Sequence, residues 1–238
     1  LLVAGFLGVG AGSLEAQTLK QFSTTRQFHG EGRLVATVEF GGGTLNVKAG
    51  TPSSLYAMQL AYDAERFQPV SAWTASTSAV TLGLTNREQG SIGVTGVQQA
   101  QTATIQFSPQ TDRDLSMRIG AAKSVIDLGG LRVASLVVET GASQTEVRFS
   151  KRNAMRCTAA VFRAGVAELT VVGLGNSQCD RVTFEGGMGS VVLDYSGAWT
   201  GDAALSAKVA VGGLTLRIPR SVGVTLTTEQ FLASFQPA

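Results

Sequence analysis

Histidine and cysteine are scarce in this chain, which holds one histidine, His29, and two cysteines in 238 residues. A Ser-His-Asp or Cys-His nucleophile would have to use His29, yet no Gly-x-Ser-x-Gly elbow accompanies it. One histidine and two separated cysteines also supply no ligand set for zinc or haem. The sequence therefore predicts no catalytic residue, no metal site and no cofactor, and we expect a protein that is not an enzyme.

Charge and proline are also scarce, since 15% of the residues are charged and 5 are proline, against 29 glycines. Typical soluble domains carry about 25% charged residues. The formal net charge of +2 comes without the basic stripe that proteins use to bind phosphate backbones. This composition is typical of strands and turns, and it argues against nucleic acid as a partner.

Long apolar runs are absent after Gln17, where no segment approaches the length of about 18 residues expected of a membrane-spanning helix. The first fourteen residues, in contrast, carry no charge and are almost wholly apolar or glycine. We expect residues 1–16 to be a secretory signal peptide or an N-terminal membrane anchor, although fourteen helical residues span only about 21 Å of a roughly 30 Å hydrocarbon core. The sequence thus predicts export to the periplasm or outer surface, with membrane contact through residues 1–14 if they are retained.

One pattern recurs through the second half of the chain: an alternating apolar segment, a glycine, and a second alternating segment. We interpret the glycines, which are 21, 24, 22 and 25 residues apart, as turn glycines: Gly120, Gly141, Gly165, Gly187 and Gly212. Because a unit of this size cannot bury its apolar face alone, neighbouring copies must stack around a shared core. Residues 114–238 are therefore predicted to form an all-β repeat array, either a β-solenoid or stacked β-hairpins.

The first half of the chain is less regular. Residues 34–48 again run strand, glycine turn, strand, which predicts a hairpin. Residues 85–113 are rich in Thr, Gln, Gly and Ser. We expect residues 17–113 to form a smaller β module that ends in this Thr- and Gln-rich joint. Within the joint, Asp112, Arg113 and Asp114 predict a solvated turn, since no glycine-centred calcium loop follows them.

Two stretches of the sequence carry a resemblance to a known family. The first reads Val-Glu-Phe-Gly-Gly-Gly-Thr-Leu-Asn-Val at residues 38–47, followed by Leu55-Tyr and by Tyr-Asp-Ala-Glu-Arg-Phe-Gln-Pro from Tyr62. The second is the glycine-punctuated array, which closes in Asp-Tyr-Ser-Gly-Ala-Trp-Thr from Asp194 and Arg-Ile-Pro-Arg-Ser-Val-Gly-Val from Arg217. In this order they resemble the bacterial toast-rack family, which is related to the cell-wall-active antibiotic response proteins and to proposed β-solenoid adhesins.

The resemblance covers roughly residues 30 to 230. It implies an envelope location and a β-rich interaction or scaffold role, and it brings no catalytic residues to carry over. Family members continue into further strands past a Pro-x-x-x-Gly-Val segment like the one that begins at Pro219. We therefore expect the natural protein to extend beyond Ala238.

Cys157 and Cys179 each precede a repeat glycine by eight residues, so they occupy equivalent positions in neighbouring repeats. Adjacent strands lie about 4.8 Å apart, within the Cα separation that a disulfide tolerates. A bridge would close a loop of about 22 residues and is favoured by an oxidising compartment. The alternative is a pair of reduced thiols stacked in the core.

The aromatic residues fall into two groups, one around Trp73 and one formed by Tyr195 and Trp199. Core filling explains most residues of this kind. Because tryptophan and tyrosine often anchor protein interfaces, Trp73, Trp199 and Tyr195 are also candidate partner contacts.

The sequence is best explained by a non-enzymatic envelope scaffold that presents a rigid β-repeat surface to protein partners. One version is an accessory periplasmic subunit of a membrane complex, photosynthetic or respiratory. The alternative is a secreted adhesin or polysaccharide-binding module, which should carry an outward ladder of aromatic or acidic residues. Arg118, Arg163 and Arg217 are expected to face outward, but no aromatic ladder accompanies them. An enzyme, the third class, would need a cleft with converging carboxylates.

Overall fold

The computed structural model describes residues 19–87 and 101–227. Apart from strands, regular structure in these ranges consists of a 3₁₀ turn, Ala75–Thr77, and a four-residue helix, α1, Leu174–Ser177. The strands in chain order are β1 (Leu19–Gln27), β2 (Arg33–Ala49), β3 (Ser54–Asp63), β4 (Phe67–Thr74), β5 (Ala79–Asn86), β6 (Thr102–Phe107), β7 (Asp112–Asp127), β8 (Arg132–Arg148), β9 (Ala159–Val172), β10 (Arg181–Asp194) and β11 (Ala204–Arg217). The all-β prediction is confirmed, and the predicted leader, residues 1–16, lies outside the described residues.

The strands form one sheet whose larger part is parallel. The order is β1-β3-β6-β2-β7-β8-β9-β10-β11, and β5 pairs with both β2 and β4. From β2 through β11 along this order, every neighbouring pair is parallel. Hairpins would give antiparallel neighbours, whereas parallel strands need a return connection between them. Of the two predicted architectures, the array is therefore the solenoid. We call its strands β2 and β7–β11 the rungs.

The five predicted turn glycines lie inside rungs, so the interpretation as turns between strands is wrong. In β7 the buried side chains stand at odd positions up to Ile119 and at even positions from Ala122, so the alternation changes phase at Gly120. The same kind of phase change occurs in β2, β8, β9, β10 and β11. A phase change lets both halves of a strand direct side chains into a common core without a reversal of the chain. We call this point of each rung its corner.

Four of these glycines stand in one column with Gly41 of β2. Pairing of the flanking residues aligns Gly41, Gly120, Gly141, Gly165 and Gly187. A Cβ on Gly120 would lie 2.3 Å from the Gly41 carbonyl oxygen, so close approach of the backbones requires glycine there. Gly212 is not part of this column, because it pairs with Gly189, and Ala210 occupies the equivalent position in β11.

β2 connects the predicted N-terminal module to the array. It is one continuous strand, so the hairpin expected over residues 34–48 is wrong. β2 pairs with β7 on one side and with β5 and β6 on the other. The predicted boundary between residues 113 and 114 falls inside β7, and the division into two units stays a prediction.

A continuous cluster of buried apolar side chains fills the inside of the stack from β2 to β10. Its large members include Phe40, Phe107, Phe162 and Phe184, all 1% exposed or less. In β11 the inward side chains are only partly buried: Leu205, Ala207, Val209, Leu214 and Leu216. The described stack therefore ends on a layer of core that is covered on one side only.

Candidate interaction surfaces

Cys157 and Cys179 stand just ahead of β9 and β10, where an isolated parallel bridge pairs them. The structure joins them in a disulfide, with the two Sγ atoms 2.00 Å apart and a sequence separation of 22 residues. Both residues are buried. The disulfide therefore links the segments that lead into β9 and β10, and it lies within the core.

Tyr195 and Trp199 lie in the connection from β10 to β11, beside this disulfide. Their rings are stacked with centroids 5.7 Å apart, and the Trp199 indole Nε1 donates a hydrogen bond to the Tyr195 carbonyl oxygen at 2.9 Å. Tyr195 is buried, which raises the pKa of its hydroxyl. Tyr195 and Trp199 were both predicted to contact a partner, and of this pair only Trp199 is partly exposed.

Trp199 lines a cleft of about 220 Å³ together with Arg152, Arg156, Asp180 and Asp202. Arg156 and Asp180 form an ion pair across it at 2.8 Å. Pockets for drug-sized ligands usually measure about 300–1,000 Å³. The cleft is smaller than that range, and Asp180, one of its two carboxylates, is paired with arginine rather than free as in the carboxylate pair of a glycosidase.

Trp73 lies at the other end of the sheet, in β4. The Arg26 guanidinium stands 4.0 Å from the centroid of the Trp73 ring, and the Tyr56 ring lies 6.2 Å away. Its Nε1 is buried and has no hydrogen-bond partner within the described ranges. Rungs β7 to β9 separate Trp73 from Trp199, so the predicted contact residues do not form one surface.

An outward column of alternating charge runs two residues before the glycine column, and sequence reasoning missed it. Sheet pairing aligns Glu39, Arg118, Glu139, Arg163, Glu185 and Lys208 across the six rungs. Arg118 contacts Glu39 at 3.2 Å and Glu139 at 3.5 Å, and Arg163 contacts Glu139 at 2.8 Å and Glu185 at 3.3 Å. Exposed ion pairs each contribute about 0–1 kcal/mol, so the column specifies register more than it adds stability. The alternation of sign before successive glycines was the available signal.

A second outward column, of apolar residues, lies on the other side of the glycines. Pairing aligns Ala121, Ala142, Val166, Met188 and Val211. The three larger side chains are 58%, 52% and 61% exposed respectively. The side chains of this column are alanines at β7 and β8. At β9, β10 and β11 they are larger and form a projecting apolar ridge.

A groove of about 400 Å³ lies on the same outer face, over the charged column at β2, β7 and β8. It is lined by Glu39, Arg118 and Glu139 of the charged column, by Gly41, Gly120 and Gly141 of the glycine column, and by Phe40, Ile119, Thr85 and Asn86. We call the groove, the ridge, the glycine column and the charged column together the corner face.

Arg113 departs from the predicted solvated turn, because its side chain is fully buried in β7. Its Nη2 donates to the carbonyl oxygens of Ser108 and Thr111, the latter at 2.7 Å, and its guanidinium lies 5.5 Å from the Phe107 ring centroid. Burial lowers the pKa of Arg113 to about 10. This arginine closes the turn between β6 and β7 rather than meeting solvent.

Neither a metal centre nor a membrane helix is found in residues 19–87 and 101–227. No group of three or more His, Cys, Asp or Glu side chains in these ranges could hold a metal ion. None of their helices is long and apolar enough to cross a membrane.

Comparisons with known proteins give one family and one fold. A family model described as the N-terminal domain of toast_rack, DUF2154, matches residues 15–172. A crystal structure of a proposed cell adhesion protein from Clostridium sporogenes superposes with a TM-score of 0.61 at 14% identity, covering 84% of this chain and 98% of that one. At this identity the likeness concerns the fold. No curated protein matches the sequence.

Proposed function

Because this chain belongs to the toast-rack family, we propose that it is a non-enzymatic interaction protein of the bacterial envelope that binds a protein partner through its stacked β surface. The observation that carries this proposal is the outer edge of β11, the last rung that the structure describes. Among the described strands, none pairs with the outer edge of β11. Its inward side chains are only partly buried, whereas their neighbours Val182, Phe184, Val191 and Leu193 in β10 are 4% exposed or less.

An edge of this kind fits an added strand, and we propose that a partner supplies it beyond whatever strands of this chain follow residue 227. Main-chain hydrogen bonds would supply affinity, and the partly buried side chains of β11 would be covered by apolar residues of the added strand. Lys208 and Arg217 are the charged residues of β11, so the edge suits a partner strand that carries acidic residues. We propose the finer role of an accessory periplasmic subunit of a membrane complex on this basis.

Cell adhesion is the second candidate function. It is supported by the fold shared with the Clostridium sporogenes protein, whose description is a proposed cell adhesion protein. An adhesin would use the outer faces of the rungs rather than the open edge, so the two candidates place the contact on different parts of the stack.

The test is an affinity purification of the tagged full chain from native membranes in mild detergent, comparing Leu214→Lys with Thr215→Lys. Leu214 is a partly buried inward residue of β11, and Thr215 is its exposed outward neighbour. An inward charge on an edge strand blocks pairing with a further strand. We expect stoichiometric recovery of one membrane complex with the wild type and Thr215→Lys, and loss of it with Leu214→Lys.

Circular dichroism melting of both variants controls for folding, and mass spectrometry of the N-terminus shows whether residues 1–16 are kept. A protein that begins near Gln17 and purifies without any membrane complex would contradict the accessory-subunit role. In that case, binding of the purified protein to bacterial or host cell surfaces tests the adhesion candidate.

A further inference from the structure

The corner face is complementary to itself, and we infer that it binds a second copy of this chain in an antiparallel, two-fold arrangement. This contact is separate from the open edge of β11 on which the proposed function rests. It follows from the order of charge and side-chain size along the two columns that flank the glycines.

Charge is the first observation. Read along the stack, the charged column runs acid, base, acid, base, acid, base. A two-fold axis in the plane of the contact, lying between β8 and β9, reverses this order in the second copy. Each acid then faces a base of the other copy: Glu39 faces Lys208, Arg118 faces Glu185, and Glu139 faces Arg163. An isologous contact requires this kind of self-complementarity.

Size is the second observation, and it is independent of charge. The same reversal places Met188 of one copy against Ala121 of the other, and Val166 against Ala142. The projecting ridge of β9, β10 and β11 thereby meets the end of the face where the apolar column consists of alanine and glycine. Val211 of one copy then faces Gly42, which occupies the same column in β2.

The backbone permits a close approach. At the corners the column between the charged and the apolar side chains is glycine in five rungs and alanine in the sixth. Two such columns can therefore approach with no large side chain between them. A two-fold axis along the stack would instead keep the order of the rungs, and it could not bring the charged columns together and the apolar columns together at the same time.

The size of the face sets the expected affinity. Six rungs at about 4.8 Å and six residues of each corner at about 3.3 Å define a strip of about 24 Å by 17 Å, or roughly 400 Å² on each copy. This is about half of the area per partner in a standard stable interface. The dimer should therefore be weak, with a dissociation constant of about 10–100 µM.

Sedimentation velocity of the full chain over a concentration range of about 5–300 µM tests the association. We expect the sedimentation coefficient of the wild type to rise with concentration. Met188→Lys, which places a charge in the apolar column, should remain monomeric throughout. Val192→Lys lies on the same strand but beyond the corner, and it should associate like the wild type.

Crosslinking tests the orientation. In the antiparallel dimer, residue 121 of one copy faces residue 188 of the other, whereas the two copies of residue 121 are about 14 Å apart. With a short bismaleimide, a mixture of Ala121→Cys and Met188→Cys chains should yield a crosslinked dimer, and neither variant alone should.

Either of two results would overturn the inference. One is a wild type that stays monomeric at the highest concentration. The other is Ala121→Cys chains that crosslink to each other as well as they do to Met188→Cys chains. Ala121→Cys and Met188→Cys change no inward residue of β11. These results therefore leave the test of the β11 edge unaffected.

Discussion

Glycine at the corner is required at some rungs and merely tolerated at others. A Cβ on Gly120 would lie 2.3 Å from the Gly41 carbonyl oxygen, but a Cβ on Gly141 would lie 3.4 Å from that of Gly120, an ordinary contact. We expect Gly120→Ala to lower the free energy of unfolding by about 1–3 kcal/mol, since the backbones must move apart. Gly141→Ala should change it by less than about 1 kcal/mol. Urea denaturation of both variants measures the difference, and equal losses would show that approach of the backbones is not the cause.

Buried Arg113 offers a second test at the scale of one residue. Arg113→Ala should cost about 3–5 kcal/mol, because it opens a cavity and leaves the Ser108 and Thr111 carbonyls without their donor. Arg113→Met fills the volume but not the hydrogen bonds, and should cost about 1–3 kcal/mol. Arg132→Ala, at a partly exposed ion pair with Asp112, should cost less than about 1 kcal/mol. A methionine variant as stable as the wild type would refute the role of the guanidinium in closing the turn.

Gly120 and Arg113 differ in how far the sequence could predict their structural roles. Periodic glycines were visible as a repeat, and the alternating charges two positions before them were visible too. Arg113 was not predictable, because an Asp-Arg-Asp sequence beside a turn has the local composition of a solvated segment. Its burial depends on carbonyls at Ser108 and Thr111 that only the folded turn directs toward it.

Between elements, Asp114 joins three rungs. Its carboxylate accepts two hydrogen bonds from Arg33 of β2, each at 2.7 Å, and one from Ser135 of β8 at 2.6 Å. The bonds from Arg33 are the main reason that the pKa of Asp114 lies below its ordinary value. A carboxyl with a lowered pKa in the folded state adds stability above its unfolded pKa of about 3.9, and this stability is lost as the pH falls through the folded value.

We therefore expect Asp114→Asn to be less stable than the wild type at pH 7, by less than about 1 kcal/mol because the Arg33 side chain is exposed. The difference should shrink as the pH falls below about 4. Urea denaturation of both proteins from pH 7 to pH 3 measures it. A difference that is constant over this range would exclude ionisation of Asp114 as its origin.

At the scale of elements, the sequence predicted strands and their period but not their pairing. Residues 34–48 and each later repeat read strand, glycine, strand, and that string is compatible with a hairpin or with one strand that passes a corner. What separates the two is whether the second half pairs with the first half or with the next rung. Pairing with the next rung involves residues more than 20 positions away, as for Arg118 and Glu139, and local sequence does not specify it.

For the whole molecule, the disulfide is the strongest single constraint that the structure describes. Replacing both cysteines, as Cys157→Ser with Cys179→Ser, should lower the free energy of unfolding by about 3 kcal/mol, because the closed loop of 22 residues restricts the unfolded chain. Wild-type protein unfolded in dithiothreitol should match the double variant. Alkylation of the unfolded, unreduced protein followed by mass spectrometry should find no free thiol. A modified cysteine in that experiment would favour the alternative of reduced thiols.

The alternating charged column also limits how such a chain can lengthen or shorten by duplication. Loss of β9 alone would bring Glu139 beside Glu185, and gain of a single copy would create a similar clash of like charges. Loss or gain of two consecutive rungs keeps every acid beside a base. We therefore expect such repeats to be gained and lost in pairs, so that natural relatives that keep the column differ in length by even numbers of rungs.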